Sequence, residues 1–382
     1  MRVLRVTPFL TRARGGTVTS LTASSRFLSE RGHEVTIVTT DFERDDSLTN
    51  QLRGEGIEVV PFHCVVNVGL LLLSPSLRGW LKTNVRNYDI IHMHNFRTYQ
   101  NYVVHRFALD AHVPYIVQAH GSVLPMFEKR GLKRAYDLFC GRRMLQNASR
   151  VIAVTPAEES QYRRMGVTEG KITLVPNGID SSEYEFLPER GAFRRRYSIE
   201  PQEKVILYLG RLHRIKGVDM LVLAFSRMME YHKNARLVIV GPDDGMLAAL
   251  RRQARNLGIH DRVVFADPHY GRSKLEAYVD SDICVLPSIY EVFGLTILEA
   301  MACGTPVIAT EECGLVELVR RYGHVVKRDP NSLCDSMIDV LMNLDSEKKT
   351  ARESRKHVLN EFGWNNIITR MEDVYEDCVR HP

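Results

Sequence analysis

Two glutamates in the C-terminal third of the chain, Glu291 and Glu299, carry the strongest chemical signature in the sequence. An apolar run at 283–286 predicts a buried strand before them. Residues 293–303 predict a helix that ends at a glycine and a proline. Eight helical steps would separate the two carboxylates by roughly 12 Å along the axis. That is too far for two groups acting on one bond, and it suits acceptors that hold opposite ends of an extended polar ligand.

The predicted helix start between these glutamates is a candidate phosphate site. The first turn of a helix has unpaired backbone N–H groups and the positive end of the helix dipole. Phe293, Gly294 and Leu295 supply the backbone there and are candidate donor-binding residues. A nucleotide sugar has the matching layout, because its diphosphate lies between a hydroxyl-rich sugar and a hydroxyl-rich ribose.

Two cations follow another predicted strand, at 205–209. Arg211 and Lys216 lie between the end of this strand and a predicted helix that begins near Gly217. The loop lacks the spacing of a Walker phosphate loop. Arginine offers a planar fork to phosphate oxygens and lysine a point charge. The pair could neutralise a departing diphosphate without a metal ion. The alternative is a solvated basic loop, which the position between strand and helix disfavours.

Glycines and histidines mark the strand ends of the N-terminal half. Gly15 and Gly16 follow the first strand, where backbone could approach a ligand closely or simply make a tight turn. The turn lacks the Gly-x-Gly-x-x-Gly pattern of a dinucleotide-binding protein. His120 follows the strand 115–119, so it could meet a substrate, although a lone histidine is more often structural. His92 and His94 share one face of a strand, and we expect a structural role for at least one of them.

A resident metal ion is not predicted. Asp280 and Asp282 resemble an Asp-x-Asp motif that holds a divalent metal in some enzymes, but they come immediately before a strand rather than after it. We interpret them as a helix-to-strand turn. No metal and no other cofactor are therefore expected.

The elements that must position these residues alternate along the chain. Apolar strands and amphipathic helices alternate through the first half of the chain, and the same alternation begins again at about residue 205. Such alternation predicts parallel sheets covered by helices on both faces. The length of 382 residues also favours two domains. The sequence thus predicts two doubly wound α/β domains, with a boundary in the turn-rich segment 177–188 and ligands at the carboxyl ends of the strands.

Charge is unevenly distributed between the two halves. The net charge is +5, of which residues 1–180 contribute +7 and residues 181–382 contribute −2. The segment 127–147 predicts a basic, partly apolar helix that could lie on an anionic membrane surface, although a solvated helix face is the commoner outcome. Few aromatic residues interleave with the basic ones, which argues against nucleic acid.

Location is predicted from what the sequence lacks. No apolar run is long enough to span a membrane, and the apolar run at the N-terminus is too short for a signal peptide. The seven cysteines are scattered and contain no Cys-x-x-Cys pair, which favours reduced thiols. We predict a cytoplasmic protein, with peripheral association at the inner face of the membrane as an open alternative.

Taken in order, these motifs resemble those of glycosyltransferase family 4, the retaining enzymes of the GT-B fold. The resemblance covers nearly the whole chain. It rests on the glycine pair, His120-Gly121, Gly210-Arg-x4-Lys-Gly217, the Glu-x7-Glu block and the segment 175–180, VPNGID. One departure is Glu311-Glu-Cys-Gly314, where the family often has a glycine-rich turn.

The resemblance implies two Rossmann-like domains facing a cleft. Residues 1–180 would form the acceptor domain, completed by a C-terminal crossing helix within 364–382. Residues 181–363 would form the nucleotide-sugar donor domain. The resemblance also implies site roles: diphosphate binding by Arg211 and Lys216, contact with the transferred sugar by Glu291 and His120, ribose binding by Glu299, and phosphate or acceptor contact by Gly16.

The predicted function is retaining transfer of a hexose from a UDP- or GDP-sugar to an acceptor hydroxyl. The acceptor could be a sugar, a small molecule, a lipid-linked sugar or a polysaccharide. The departing phosphate oxygen could take the acceptor proton, with positioning and charge stabilisation supplying most of the rate. Three alternatives remain at this point: a nucleotide-sugar epimerase of the same fold, a phosphorylase, or a non-catalytic nucleotide-sugar-binding protein.

Overall fold

The computed structural model of the protein describes residues 1–68, 71–124 and 130–381. The chain folds into two compact units. Unit 1 comprises Met1–Gly178 and the C-terminal segment from Trp364, and unit 2 comprises Ile179–Gly363. Both are built on a parallel sheet, so the expectation of two α/β domains is confirmed.

The sheet of unit 1 has seven parallel strands in the order β3-β2-β1-β6-β7-β8-β9. The strand order reverses between β1 and β6, which makes that pair the topological switch point. A separate antiparallel pair is formed by β4 and β5. The strands of this unit are β1 (Arg2–Val6), β2 (Glu34–Thr40), β3 (Glu58–Phe62), β4 (Val66–Val68), β5 (Leu71–Leu73), β6 (Ile90–His94), β7 (Tyr115–Gln118), β8 (Arg150–Ala153) and β9 (Ile172–Leu174).

Helices cover both faces of this sheet and bury two clusters of apolar side chains against it. The strands are nearly continuous apolar runs because both faces are covered. The helices of unit 1 before the linker are α1 (Gly16–Glu30), α2 (Asp46–Gly54), α3 (Ser76–Asn84), α4 (Tyr99–Ala111), α5 (Arg130–Tyr136), α6 (Arg142–Asn147) and α7 (Pro156–Arg164).

The basic segment predicted as one helix is divided where it is described. Residues 125–129 lie outside the described residues. A π-helical turn, Asp137–Gly141, separates α5 from α6. A side chain at Gly141 would come within 2.9 Å of the Asp137 carboxylate and of the Phe96 ring, so close packing accompanies the irregular turn.

Unit 2 has a six-stranded parallel sheet in the order β12-β11-β10-β13-β14-β15. This is the doubly wound order, with its switch point between β10 and β13. The strands are β10 (Lys204–Leu209), β11 (Ala235–Val240), β12 (Val263–Ala266), β13 (Ile283–Leu286), β14 (Val307–Thr310) and β15 (His324–Val326). The helices are α8 (Ala192–Arg196), α9 (Val218–Met228), α10 (Leu247–Asn256), α11 (Gly271–Asp280), α12 (Leu295–Ala302), α13 (Val316–Tyr322), α14 (Pro330–Met342) and α15 (Leu344–Glu361).

The last helix, α16 (Trp364–Arg380), belongs to unit 1 although it follows unit 2 in the chain. Its apolar face, which includes Trp364, Ile367 and Tyr375, is buried in the same core cluster as Val3 of β1 and Leu21 of α1. The strong amphipathicity of this helix therefore closes the core of the first unit.

Candidate functional site

The switch point of unit 2 brings together the loops that follow β10 and β13. The backbone N–H of Ile289 donates to the carbonyl of Ile215 at 2.8 Å, which ties one loop to the other. Gly217 caps the start of α9 with a left-handed backbone, φ +64°, and a Cβ there would lie 2.1 Å from the Pro287 carbonyl oxygen. Only glycine permits this approach, so its presence sets how closely the two loops can pack.

An ion pair between two predicted site residues spans this switch point. Lys216 Nζ lies 2.5 Å from a carboxylate oxygen of Glu291. Both side chains are mostly buried, with 18% and 16% of their surface exposed. The sequence analysis predicted Lys216 and Glu291 at the ends of two different strands, 75 residues apart in the chain. The fold places them in direct contact at the edge where doubly wound sheets bind ligands.

Arg211 follows β10 directly but has a different partner. Its guanidinium donates to Asp244, in the loop after β11, at 2.7 Å, and both side chains are more than one-third exposed. Its carbonyl accepts a hydrogen bond from the buried Tyr208 hydroxyl at 2.8 Å, which fixes the backbone. An exposed ion pair of this kind contributes about 0–1 kcal/mol, so the guanidinium is readily recruited by a stronger anion.

Glu299 is held from one side by helix α11. Lys274 Nζ lies 2.7 Å from one carboxylate oxygen, and the Tyr278 hydroxyl donates to the other at 2.8 Å. Burial on its own would lower the pKa of Lys274, but the adjacent carboxylate raises it overall. The sequence analysis missed both partners. Their spacing of four residues, which places them on one face of a helix, was the available signal.

The helix between the two glutamates starts two residues later than predicted. Gly294, with φ +99°, caps α12, and Leu295 is its first residue. Ile297 and Leu298 are the first to bond back, to the Gly294 carbonyl, so the N–H groups of Leu295 and Thr296 precede the first intrahelical donor. The predicted unpaired donors are present. The predicted separation of roughly 12 Å between the two carboxylates assumed eight helical steps from Glu291 to Glu299. That assumption was wrong, because only the four steps from Leu295 to Glu299 lie on α12.

Glu291 instead lies in a loop paired with the segment that departs from the family pattern. Its N–H donates to the Glu312 carbonyl at 3.2 Å, and its carbonyl accepts from the Gly314 N–H at 2.8 Å. A Cβ at Gly314 would lie 1.8 Å from the Val292 carbonyl oxygen. One glycine in this segment therefore supplies the close backbone approach that positions Glu291.

In unit 1, the glycine pair lies at the switch point between β1 and β6. Gly15 caps α1 with φ +70°, and Gly16 is the first residue of that helix. The N–H of Val18 is the first to bond back, to the Gly15 carbonyl, so the start of this fifteen-residue helix presents donors. The pair is therefore both a turn and a candidate anion-contacting helix start.

His120 follows β7 in a left-handed backbone conformation, with φ +50°. Asn95 and Arg97, after the adjacent strand β6, also have positive φ. Non-glycine residues adopt this region at a cost, and such positions cluster at functional sites. Arg97 helps to hold the edge together by donating to the carbonyls of Ser122 and Val123 and by pairing with Asp137 at 2.7 Å.

A chain of polar side chains lies behind His120. His120 Nε2 is 3.0 Å from Nδ1 of His94, whose Nε2 faces the guanidinium of Arg5 at 2.9 Å. His92 stacks on His94 and bonds the Tyr375 hydroxyl at 2.7 Å, which confirms the structural role expected for one of the pair. Burial and the Arg5 charge lower the pKa of His120 to about 3, so its imidazole is neutral near neutral pH.

Glu158 supports the loop that carries His120, and the sequence analysis did not identify it. Its carboxylate oxygens accept from the N–H groups of Gly121, at 2.6 Å, and Val154, at 2.9 Å. The side chain is fully buried, and burial raises its pKa to about 7. The sequence signal was a glutamate three residues after Thr155, the pattern of a helix capping box. Here the carboxylate reaches back beyond the cap to the loop that carries His120.

The two aspartates considered as metal ligands have structural roles. Asp280 accepts from the backbone N–H groups of Gly191 and Arg194, and Asp282 accepts from the Val205 N–H and the Arg194 guanidinium. This agrees with the interpretation as a helix-to-strand turn. Across the residues that the structure describes, no group of three or more His, Cys, Asp or Glu side chains could hold a metal ion.

These features define a class of protein. Each unit is a Rossmann-like sheet with candidate ligand-binding residues at the carboxyl ends of its strands, and unit 2 combines two cations, two carboxylates and a helix start there. Residues 15–178 match the Glycosyl transferase 4-like domain, and residues 189–357 match Glycosyl transferases group 1. The chain therefore belongs to the family 4 type of GT-B glycosyltransferases, as the motifs predicted.

Known relatives agree over the full length. An uncharacterized glycosyltransferase of Methanocaldococcus jannaschii is 27% identical, and the aligned region covers 98% of each chain. The D-inositol 3-phosphate glycosyltransferase of Acidothermus cellulolyticus is 28% identical over 96% of this chain and 86% of its own. The crystal structure of Anabaena HepE in complex with UDP and glucose has the same fold, with a TM-score of 0.83, 21% identity, and 98% and 99% of the two chains covered.

Proposed function

We propose that the protein transfers a hexose from a UDP- or GDP-sugar to an acceptor hydroxyl with retention of anomeric configuration. The observation that carries the proposal is the Lys216–Glu291 ion pair across the switch point of unit 2. A cation and a carboxylate in contact at this edge can separate to meet a phosphate and a sugar hydroxyl respectively. A nucleotide-sugar donor is also supported by a protein of similar fold that was crystallised with UDP and glucose.

The diphosphate would lie between the two loops of unit 2. Arg211 and Lys216 would contact its oxygens, aided by the backbone donors at the start of α12. Gly16, at the start of α1, remains a candidate contact on the phosphate or acceptor side. These fixed donors would stabilise the charge that builds up as the diphosphate leaves. They could do so without a metal ion, and we propose a metal-independent reaction.

The two glutamates would have separate tasks. Glu299, already oriented by Lys274 and Tyr278, would accept hydrogen bonds from the ribose hydroxyls. Glu291, released from Lys216, would accept from hydroxyls of the transferred sugar. His120 remains a candidate for contact with a sugar, as its motif implies. The acceptor hydroxyl would approach on the face of the leaving group, and the departing phosphate oxygen would take its proton. Positioning then supplies much of the rate.

A nucleotide-sugar screen tests this proposal directly. Thermal unfolding would be followed with UDP-glucose, UDP-N-acetylglucosamine, GDP-mannose and free nucleoside diphosphates. A ligand at 100 times its Kd stabilises the fold by about 2.7 kcal/mol. Donors that stabilise the protein would then be incubated with candidate acceptors, with and without EDTA. No shift with any nucleotide would refute the donor site, and abolition of transfer by EDTA with recovery on adding Mg²⁺ or Mn²⁺ would refute metal independence.

The same experiment separates the alternatives. An epimerase would convert the sugar nucleotide without any acceptor. A non-catalytic binding protein would be stabilised by the sugar nucleotide yet release no nucleoside diphosphate. The glycosyltransferase family favours transfer over both. Product anomeric configuration, read by NMR, decides between retention and inversion.

An anionic membrane surface is proposed as a second partner, because apolar and basic side chains are exposed together around the π-helical turn of unit 1. Leu132, Leu138 and Phe139 expose 70%, 66% and 72% of their surface. Five basic residues share the segment: Arg130, Lys133, Arg134, Arg142 and Arg143. Such a surface suits the interface of an anionic bilayer and would bring the enzyme to a lipid-linked acceptor.

Vesicle co-sedimentation tests this surface. Phosphatidylglycerol-containing vesicles should bind the protein at low salt, and binding should fall at high salt and with Leu138→Ser/Phe139→Ser. Phe186→Ser, which changes an equally exposed aromatic of unit 2, is the matched control. If the protein does not bind anionic vesicles at low salt, the proposed membrane contact is refuted. The acceptor would then be a soluble sugar or small molecule, and the proposed location would be the cytoplasm without membrane contact. Within the described residues, no helix is both long and apolar enough to cross a bilayer.

A further inference from the structure

A fully buried arginine lies near the carboxyl end of β1, an interior strand of the sheet in unit 1. Arg5 exposes none of its surface. One of its nitrogens donates to the hydroxyls of Ser24, at 2.7 Å, and Ser25, at 2.9 Å. The other two nitrogens face Nε2 of His94, at 3.2 and 2.9 Å. A buried charge is costly unless its donors are satisfied, so this position calls for a reason beyond packing.

The guanidinium determines where the proton of His94 lies. Arginine has donors and no acceptor, so the ring nitrogen that it faces must be an unprotonated acceptor. In neutral His94 the proton is therefore on Nδ1. That Nδ1–H points at Nε2 of His120, 3.0 Å away, which must in turn be an unprotonated acceptor. The single proton of neutral His120 is then on its own Nδ1.

We infer that Arg5 and His94 are positioning residues that fix His120 in its Nδ1–H tautomer, so that it meets the substrate as a hydrogen-bond donor. This inference rests on the proposed function for the identity of that substrate, a sugar nucleotide. It assigns a direction to the contact: His120 donates to a sugar oxygen. It also excludes His120 Nε2 as the base that removes the acceptor proton, because His94 already occupies it.

Arg5, His94 and His120 form a relay of hydrogen bonds, and its surroundings keep the two histidines in these neutral tautomers. Burial is the largest cause that lowers the pKa values of His92 and His94, and the Arg5 charge lowers both further. Both rings therefore stay neutral near neutral pH. Glu158 holds the N–H of Gly121, the residue after His120, and so limits movement of the loop. Neutral rings and a held loop thus favour a single tautomer at His120.

The tautomer can be measured without any ligand. Long-range ¹H–¹⁵N NMR spectra of protein labelled with ¹⁵N-histidine distinguish the two neutral tautomers of each ring. The His120 signals would be assigned by their loss in His120→Gln. The wild-type protein should show protonated Nδ1 and bare Nε2 at His120. An Nε2–H tautomer, or a charged ring at pH 7, would overturn the inference.

Three variants then test whether the relay is the cause. His94→Met removes both hydrogen bonds and should let His120 populate both tautomers. His94→Gln restores the direction, because its amide oxygen can accept from Arg5 and its amide nitrogen can donate to His120. His92→Gln is the control, since His92 stacks on His94 but lies outside the relay. Equal tautomer populations in all three variants and the wild type would contradict the relay.

Kinetics connects the tautomer to function. With UDP-glucose, UDP-N-acetylglucosamine or GDP-mannose, whichever the wild type turns over, His94→Met should lower kcat about two- to tenfold, the range for one hydrogen bond. The Kd for the free nucleoside diphosphate should not change. His94→Gln should recover most of the loss. An equal loss in both variants would indicate a structural role only. If the wild type turns over none of these donors, the proposed function fails while the NMR result still decides the relay.

Discussion

Replacing Lys216 with methionine should weaken nucleoside diphosphate binding strongly, whereas replacing its partner Glu291 with glutamine should not. The methionine keeps most of the side-chain volume but removes a charge-assisted hydrogen bond to phosphate. That loss costs about 1.5–3 kcal/mol, or roughly 10- to 150-fold in Kd. Arg211→Ala should lose a similar amount, because Arg211 offers the second cation of the same loop.

The opposite variant, Glu291→Gln, removes the group that holds Lys216 before the ligand arrives. The ion pair is mostly buried at 2.5 Å but still contacts solvent, and we take up to about 1 kcal/mol, the upper end for a screened pair, as the cost of breaking it. Glu291→Gln should therefore bind UDP or GDP equally well or up to about fivefold more tightly. Its kcat with the intact donor should nevertheless fall, because the sugar contact is lost.

Isothermal titration calorimetry with UDP and GDP measures both affinities, and circular dichroism confirms that each variant is folded. The two substitutions should also be non-additive, since they remove the two partners of one contact. The reasoning is refuted if Lys216→Met binds both nucleotides as tightly as the wild type, or if Glu291→Gln loses as much affinity as Lys216→Met.

Three further outcomes are expected. Glu299→Ala should weaken binding of the free nucleoside diphosphate, whereas Glu291→Ala should mainly lower kcat; titration and steady-state kinetics would separate them, and equal losses of nucleotide affinity would contradict the division. Glu158→Ala should lower the free energy of unfolding in urea by about 1–3 kcal/mol at pH 5.5, where the carboxyl is protonated in the fold, because buried backbone N–H groups lose their acceptor; an unchanged midpoint would contradict the contacts. Stability should also fall as the pH drops below 6.5, because burial lowers the folded-state pKa values of His92, His94 and His120 below that value, so that only the unfolded chain then binds protons.

The size of the acid effect follows mainly from these three buried histidines and one opposing group. Each histidine contributes up to about 1.4 kcal/mol per pH unit below 6.5. Glu158 has the opposite sign, because burial raises its pKa to about 7 and the folded state takes up its proton first. It offsets about a third of the loss between pH 4.5 and 6.5. Urea unfolding at pH 7.5, 6.5 and 5.5 measures the slope, which should be steeper in Glu158→Gln; a flat profile in both proteins would refute the assignment.

The sequence by itself determined the two α/β domains, the strand ends that carry the candidate residues, and the family. Apolar runs of four to six residues must be buried strands when amphipathic helices separate them, because parallel sheets are covered on both faces. The sequence analysis did not predict which of the glycines in unit 2 have a left-handed backbone. Gly217 and Gly294 require positive φ, which is a local property of the backbone.

Tertiary structure alone decided which charged groups meet. Lys216 and Glu291 are 75 residues apart, and only the reversal of strand order at the switch point joins their loops. The tautomer-setting contact between Arg5 and His94 spans 89 residues for the same reason, because β1 and β6 are neighbours in the sheet but distant in the chain. The periodicity of apolar residues shows which side of its own helix or strand each residue occupies. The hydrogen-bond partner of a buried charge depends on which strands lie side by side, and no local pattern encodes that.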